Sequence, residues 1–170
     1  MRDGGMDRRE YLETKFGGKQ QAIEVYSRIA SAAEDAGLDI DFEAIKRTPN
    51  TLNAHRLIHW AGIEGRQTAI VSSLFKAYFK EGRDIGDADV LADIADGAAL
   101  AAAMLHRLLA SDADVDDIHA RDRNAREKGI SSVPTFVVAG QHAVPGVQPA
   151  GLWSEVIDEI VSRDEDRGDA

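Results

Sequence analysis

The sequence predicts a mostly helical α/β chain: a long all-α stretch, then a helix, a β-hairpin and a last helix. Three observations predict it. Apolar residues recur three and four apart from Tyr11 to Leu108, the period of helices with one buried face. One β-branched and aromatic run, Thr135-Phe136-Val137-Val138, marks a strand, and His142-Ala143-Val144 can return beside it. Pro149 then introduces a final apolar stripe, Leu152, Val156, Ile157 and Ile160, as a proline at the first helical position does.

Each element has local signals. Residues 1–6 read as loop. Asp7-Arg8-Arg9-Glu10 opens a short helix with an apolar face of Tyr11, Leu12 and Phe16, and Gly17-Gly18 ends it. A second helix spans Lys19 to Ala36, with Ile23, Tyr26, Ile29, Ala30 and Ala33 on one side and Gly37 as its stop. Residues 38–45 form a loop anchored by Ile40, Phe42 and Ile45. Pro49 interrupts, and Asn50 or Thr51 can cap the next helix, which carries Ala54, Leu57, Ile58 and Ala61. Beyond Gly62 and Gly65 comes the most apolar helix, with Ile70, Leu74, Phe75, Tyr78 and Phe79 expected in the middle of the core. Asp87 caps a short helix holding Val90, Leu91 and Ile94. Gly97 separates it from an alanine-rich helix with Leu100, Met104, Leu105 and Leu108. A polar helix starts at Asp112 or Asp114 and runs to Lys128, with Val115, Ile118 and Ala125 as its candidates for burial. Ala139-Gly140 or Gly140-Gln141 turns the hairpin, Pro145-Gly146 breaks its second strand, and the charged tail from Arg163 frays.

The 170 residues suit one domain, or one domain with a sizeable insertion. A chain of this length buries roughly 70% of its unfolded surface, enough for a core without disulfides or metals. The net charge of −10 repels phosphate backbones and anionic lipid, which argues against nucleic-acid and membrane partners. Met1 to Gly5 lack the charged-then-apolar pattern of a secretion signal, and no apolar run reaches the ~20 residues of a membrane span. A cytoplasmic location is the expectation. Cysteine is absent, so these residues form no disulfide framework, no thiolate metal site and no thiolate nucleophile.

The strongest local signal is Gly129-Ile130-Ser131-Ser132-Val133-Pro134-Thr135-Phe136, a helix end, a tight loop and a strand opening on proline. Proline is tolerated there because no ladder donor is needed. An X-Pro bond can be cis at modest cost. A cis bond would turn Val133 outward and leave its backbone N–H and C=O free to pair with an extended ligand. A trans proline at an ordinary strand start is the other reading. Two strands alone are marginal in water, so the hairpin needs a helical cover or further strands.

This loop resembles the cis-proline loop of DsbA-like thioredoxin-fold proteins. Further blocks in the same order resemble the FrnE-type branch of that family: Met6-Asp7-Arg8-Arg9-Glu10-Tyr11-Leu12, Lys15-Phe16-Gly17-Gly18, Arg47-Thr48-Pro49-Asn50-Thr51 with Ala54-His55-Arg56-Leu57, and Gly146-Val147-Gln148-Pro149. Relatives of that branch include 2-hydroxychromene-2-carboxylate isomerases and kappa-class glutathione transferases. The resemblance implies an incomplete thioredoxin fold. A mainly helical insertion domain would span 1–110, the C-terminal part of a thioredoxin-like domain 111–163, and a frayed tail 164–170. It also implies a strand–helix–strand unit of roughly 60 residues ahead of Met6, carrying a Cys-x-x-Cys motif. Three accounts stay open: a start upstream, a paralogue that binds without catalysing, or a partner chain completing the sheet.

The function so implied is thiol–disulfide oxidoreduction, with the chain inactive on its own because it lacks the nucleophile. Ser132, Val133 and Pro134 would bind the substrate, a thiol or disulfide peptide or a glutathione-like small molecule, and Asn50 would line the cleft. No catalytic residue and no cofactor is assigned. A glutathione-dependent isomerase or transferase is the alternative. However, Val144-Pro145-Gly146-Val147-Gln148 stands where those isomerases share a Trp-Gly-x-Asp-Arg run. A non-enzymatic helical binding module is a third. An open sheet edge predicts a tendency to self-associate. His55 and His59, four apart on a helix, could share a zinc ion, but Arg56 replaces the glutamate of the metalloprotease pattern and no third ligand is evident. No metal is therefore expected, and His55 and Arg56 read as packing or hydrogen-bonding residues. No other carboxylate pair or nucleotide motif stands out.

Overall fold

The computed structural model describes residues 4–138, 140 and 142–168, and side chains as far as Ser162. It divides into two compact units, residues 1–120 and 121–170.

The first unit opens with β1 (Met6–Asp7), paired antiparallel with β2 (Arg47–Thr48) in the register Met6 to Thr48 and Asp7 to Arg47. The sequence suggested loop up to Met6 and no strand at Arg47-Thr48. Two residues are too few to show an alternating pattern, and only the fold brings them together. Gly5 makes the approach possible: its φ is +71°, and a Cβ there would lie 2.6 Å from the Thr48 carbonyl oxygen.

Helix α1 (Arg8–Phe16) starts as expected at Asp7, whose carboxylate accepts from the Glu10 N–H at 3.1 Å, and ends at Gly17 in the left-handed region. Helix α2 (Lys19–Asp35) follows directly and buries Ala22 and Ala33. Tyr26 on α2 meets Phe16 and Phe42 edge to face, and Ile45 is buried. The Arg8 guanidinium donates to the Tyr78 hydroxyl at 3.0 Å and the Tyr26 hydroxyl at 2.9 Å. Burial pushes the Tyr78 phenol above its ordinary range, with Arg8 pulling the other way.

The core lies among α3 (Leu52–Ile63), α4 (Gln67–Phe79), α5 (Ala88–Gly97) and α6 (Ala102–Leu109). Leu57, Ala61, Ile70, Leu91 and Ala95 are wholly enclosed there. The core cluster combines leucine and isoleucine side chains with alanines. Asp87 caps α5, accepting from the Asp89 and Val90 N–H groups. Leu100 lies ahead of α6 rather than inside it, yet still packs on the core. Phe75 departs from expectation: it is 60% exposed and stacks on Phe79 at 6.0 Å, because α4 buries its Ile70, Leu74 and Ala77 face instead.

Among the described residues Arg56 is the one charged residue that is buried, 2% exposed. Its guanidinium donates to the Leu108, Leu109, Ser111 and Ala113 carbonyls and to Asn53 Oδ1. It thereby satisfies acceptors that the end of α6 leaves without an intrahelical partner. Burial pulls it below its ordinary range, while Asp114 and Asp112 oppose that shift. Trp60 covers the guanidinium at 4.9 Å and donates its indole N–H to Asp114 at 2.7 Å.

Helix α7 (Val115–Glu127) crosses the division between the units, and none of its residues is buried. Val115, Ile118 and Ala125 reach only intermediate exposure, short of the burial expected of them. In the second unit β3 (Thr135–Val138) and β4 (His142–Pro145) pair antiparallel, Thr135 opposite Pro145 and Val138 opposite His142. Of the expected turn, Gly140 is described, while Ala139 and Gln141 lie outside the described residues. Helix α8 (Ala150–Gly168) starts one residue after Pro149, and Trp153 on it meets Phe136 of β3 edge to face at 4.8 Å. It is helical through Gly168, well into the charged tail, and residues 169–170 lie outside the described residues. No described helix is long and apolar enough to cross a membrane.

Candidate functional site

The loop before β3 is closed at both ends by hydrogen bonds that its own residue types make possible. The Thr135 hydroxyl donates to the Ser132 carbonyl at 2.7 Å, a local turn that hydroxyl side chains favour. The Gly146 N–H donates to the Pro134 carbonyl at 2.8 Å and carries the ladder one step beyond the strand pair. Gln148 then donates to the Pro145 carbonyl at 2.8 Å. The Val133–Pro134 bond is cis.

Between these clamps Val133 stands 92% exposed, the most exposed of the large apolar residues described. Its backbone N–H and C=O take no hydrogen-bond partner among the described residues. An exposed apolar side chain and an unpaired backbone donor and acceptor thus sit at one anchored point. Such a pair can hydrogen-bond to an extended chain as a strand edge does. Val147, beyond Gly146, is 85% exposed.

The fold thus brings Ser132, Val133 and Pro134 together on one loop of the second unit. Asn50 stands in the first unit, ahead of α3. Its Oδ1 accepts from the Leu52 N–H at 3.1 Å, so part of its side chain is spent on starting that helix. Thr51 is the N-cap by position and makes no side-chain cap bond. His55 holds the Thr51 carbonyl through Nδ1 at 2.7 Å, a local contact within the helix start. Among the described residues no cluster of three or more His, Asp or Glu could hold a metal ion. The Gly146 contact escaped sequence reading, although the glycine after Pro145 was its signal.

A sequence model of the DSBA-like thioredoxin domain matches residues 1–158. The chain is similar to protein YwbO of Bacillus subtilis (strain 168), 27% identical over 132 residues. That match takes in 77% of this chain and 66% of YwbO, so the chain spans just under two thirds of that relative. Among solved structures, a probable DsbA oxidoreductase from Streptomyces coelicolor superposes with a TM-score of 0.81 at 28% identity, over 94% of this chain and 69% of that one. A candidate protein disulfide isomerase from Nitrosomonas europaea superposes with a TM-score of 0.70 at 14% identity, over 85% of this chain and 75% of that one, a likeness of fold alone.

Proposed function

Because the chain belongs to the DSBA-like thioredoxin domain family, with that fold and a helical insertion, we propose that it is the substrate-positioning part of a thiol–disulfide oxidoreductase. The observation that carries this reading is Val133, 92% exposed on a loop anchored at Ser132 and Pro134, with its backbone pair open. An extended peptide bearing a thiol or disulfide lies along that loop. It pairs with the Val133 N–H and C=O and packs its side chains on Val133 and Val147.

Exchange needs a thiolate, and the chain has no cysteine. The thiolate therefore comes from outside these 170 residues, and the chain by itself turns over no disulfide. Asn50, in the first unit, is a further candidate substrate contact through the amide capacity that helix capping leaves over. The FrnE-type branch is favoured over the isomerase relatives by Val144-Pro145-Gly146-Val147-Gln148, which lacks their Trp-Gly-x-Asp-Arg run.

The test is site-specific photo-crosslinking to reduced insulin B chain, whose thiols are left free because the protein has no cysteine to exchange with them. A benzophenone side chain replaces Val133 in one protein and Phe75, an exposed aromatic of the first unit, in another. Capture at 133 well above that at 75 is expected, and equal capture at both sites overturns the reading. An insulin-reduction assay is expected to give the rate of buffer, and clear turnover would show a reaction the cysteine-free chain should not perform.

A further inference from the structure

A cavity of about 640 Å³ lies within the first unit between α1, α2 and the segment 42–46, remote in sequence from the Val133 loop. Its size falls in the range of small-molecule sites. Its walls carry two kinds of surface. One is apolar and aromatic, formed by Leu12, Ile23, Tyr26, Phe42 and Ile45. The other is charged: Arg8, Arg9, Lys19 and Lys46 outnumber Asp7, Glu13 and Glu43, although the whole chain carries −10.

Arg8 decides what such a cavity would take. Its two terminal nitrogens donate only to the neutral hydroxyls of Tyr78 and Tyr26, and it lies over the Tyr26 ring at 5.1 Å. No carboxylate among the described residues pairs with it. A guanidinium held by two phenols is fixed in place but not neutralised, and a charge-assisted bond to an incoming carboxylate is stronger than either phenol contact. Asp7 is engaged elsewhere, as the cap of α1.

We propose that this cavity binds a small amphipathic monoanion, an aromatic or branched carboxylate. The carboxylate would meet Arg8, and the apolar body would lie against Ile23, Tyr26, Phe42 and Ile45. The site is built entirely from residues 7–46 of the first unit and uses no residue of the peptide-positioning loop.

The test is a titration of the ¹⁵N-labelled full chain with 2-naphthoate and with 2-naphthamide, its neutral isostere, followed by amide NMR shifts. Naphthoate is expected to move resonances of residues 8–26 and 42–46 and to bind about tenfold more tightly than the amide, the difference one charge-assisted contact makes. Arg8→Gln is expected to remove that preference. Ile23→Trp, at a half-exposed position that tolerates bulk, is expected to fill the cavity and abolish binding with the helical circular dichroism unchanged. The Ile23 variant keeps the test decisive should Arg8→Gln disturb folding. Equal affinity for the two probes, shifts confined to residues 133–161, or no binding at either probe overturns the proposal.

Discussion

The four-helix core of the first unit and the hairpin of the second draw on similar apolar residues and end at opposite extremes of burial. Leu57, Ile70 and Leu91 are wholly enclosed among α3 to α6. In the second unit no described residue is buried, and Val137, Ile157 and Val161 are each more than half exposed. The difference follows from architecture. Four amphipathic helices can turn every stripe inward, whereas a two-stranded sheet has two faces and two edges and too little material to cover them. The first unit encloses a core of its own, and the second leaves its large apolar residues at the surface.

The comparison can be broken or sharpened by substitution, and the largest effect should come from Arg56. Arg56→Leu removes from an enclosed position the guanidinium that holds the Leu108, Leu109, Ser111 and Ala113 carbonyls. A loss of about 3–5 kcal/mol in chemical denaturation is expected. A loss below 1 kcal/mol would mean that water replaces the guanidinium there. Leu91→Ala, in the same interior, should cost about 2–5 kcal/mol by cavity formation.

Gly82→Ala should come next, at about 1–3 kcal/mol. Gly82 has a φ of +63°, and a Cβ would lie 2.5 Å from the Ala44 carbonyl oxygen, a backbone atom that cannot step aside. In the second unit Phe136→Ala removes the edge-to-face contact with Trp153 and should cost only about 1 kcal/mol. Val133→Ala should change stability by no more than about 0.5 kcal/mol while lowering peptide capture, since that side chain packs on nothing. Amide hydrogen exchange tests the contrast in the unmodified chain. Amides of α3 and α5 should exchange slowest and those of β3 and β4 orders of magnitude faster. Equal protection in the two units would refute it.

Much of the fold was legible in the sequence. Asp7 and Asp87 announced their helices, and Gly17 the end of one, because a cap is a bond between near neighbours. The Thr135 to Val138 run announced its strand, and Ser132-Val133-Pro134 its loop. Phe75 misled because it lies at helical spacing with Phe79, and spacing says which residues share a face but not which face is covered. The double employment of Asn50, as helix starter and candidate cleft residue, was half visible: its place before a helix showed the first role, and family resemblance alone suggested the second.

By itself the sequence determined the helical frame, the hairpin, the proline loop and the absence of a thiolate. All of these depend on residue type or on residues within a turn of one another. Only the tertiary structure decided that Arg56 would be buried, since its four carbonyl acceptors lie 52 to 57 residues away along the chain. The same holds for Met6 pairing with Thr48, and for Arg8 resting between two phenols from different helices. Such partners are chosen by how whole elements pack, and no local pattern records that choice.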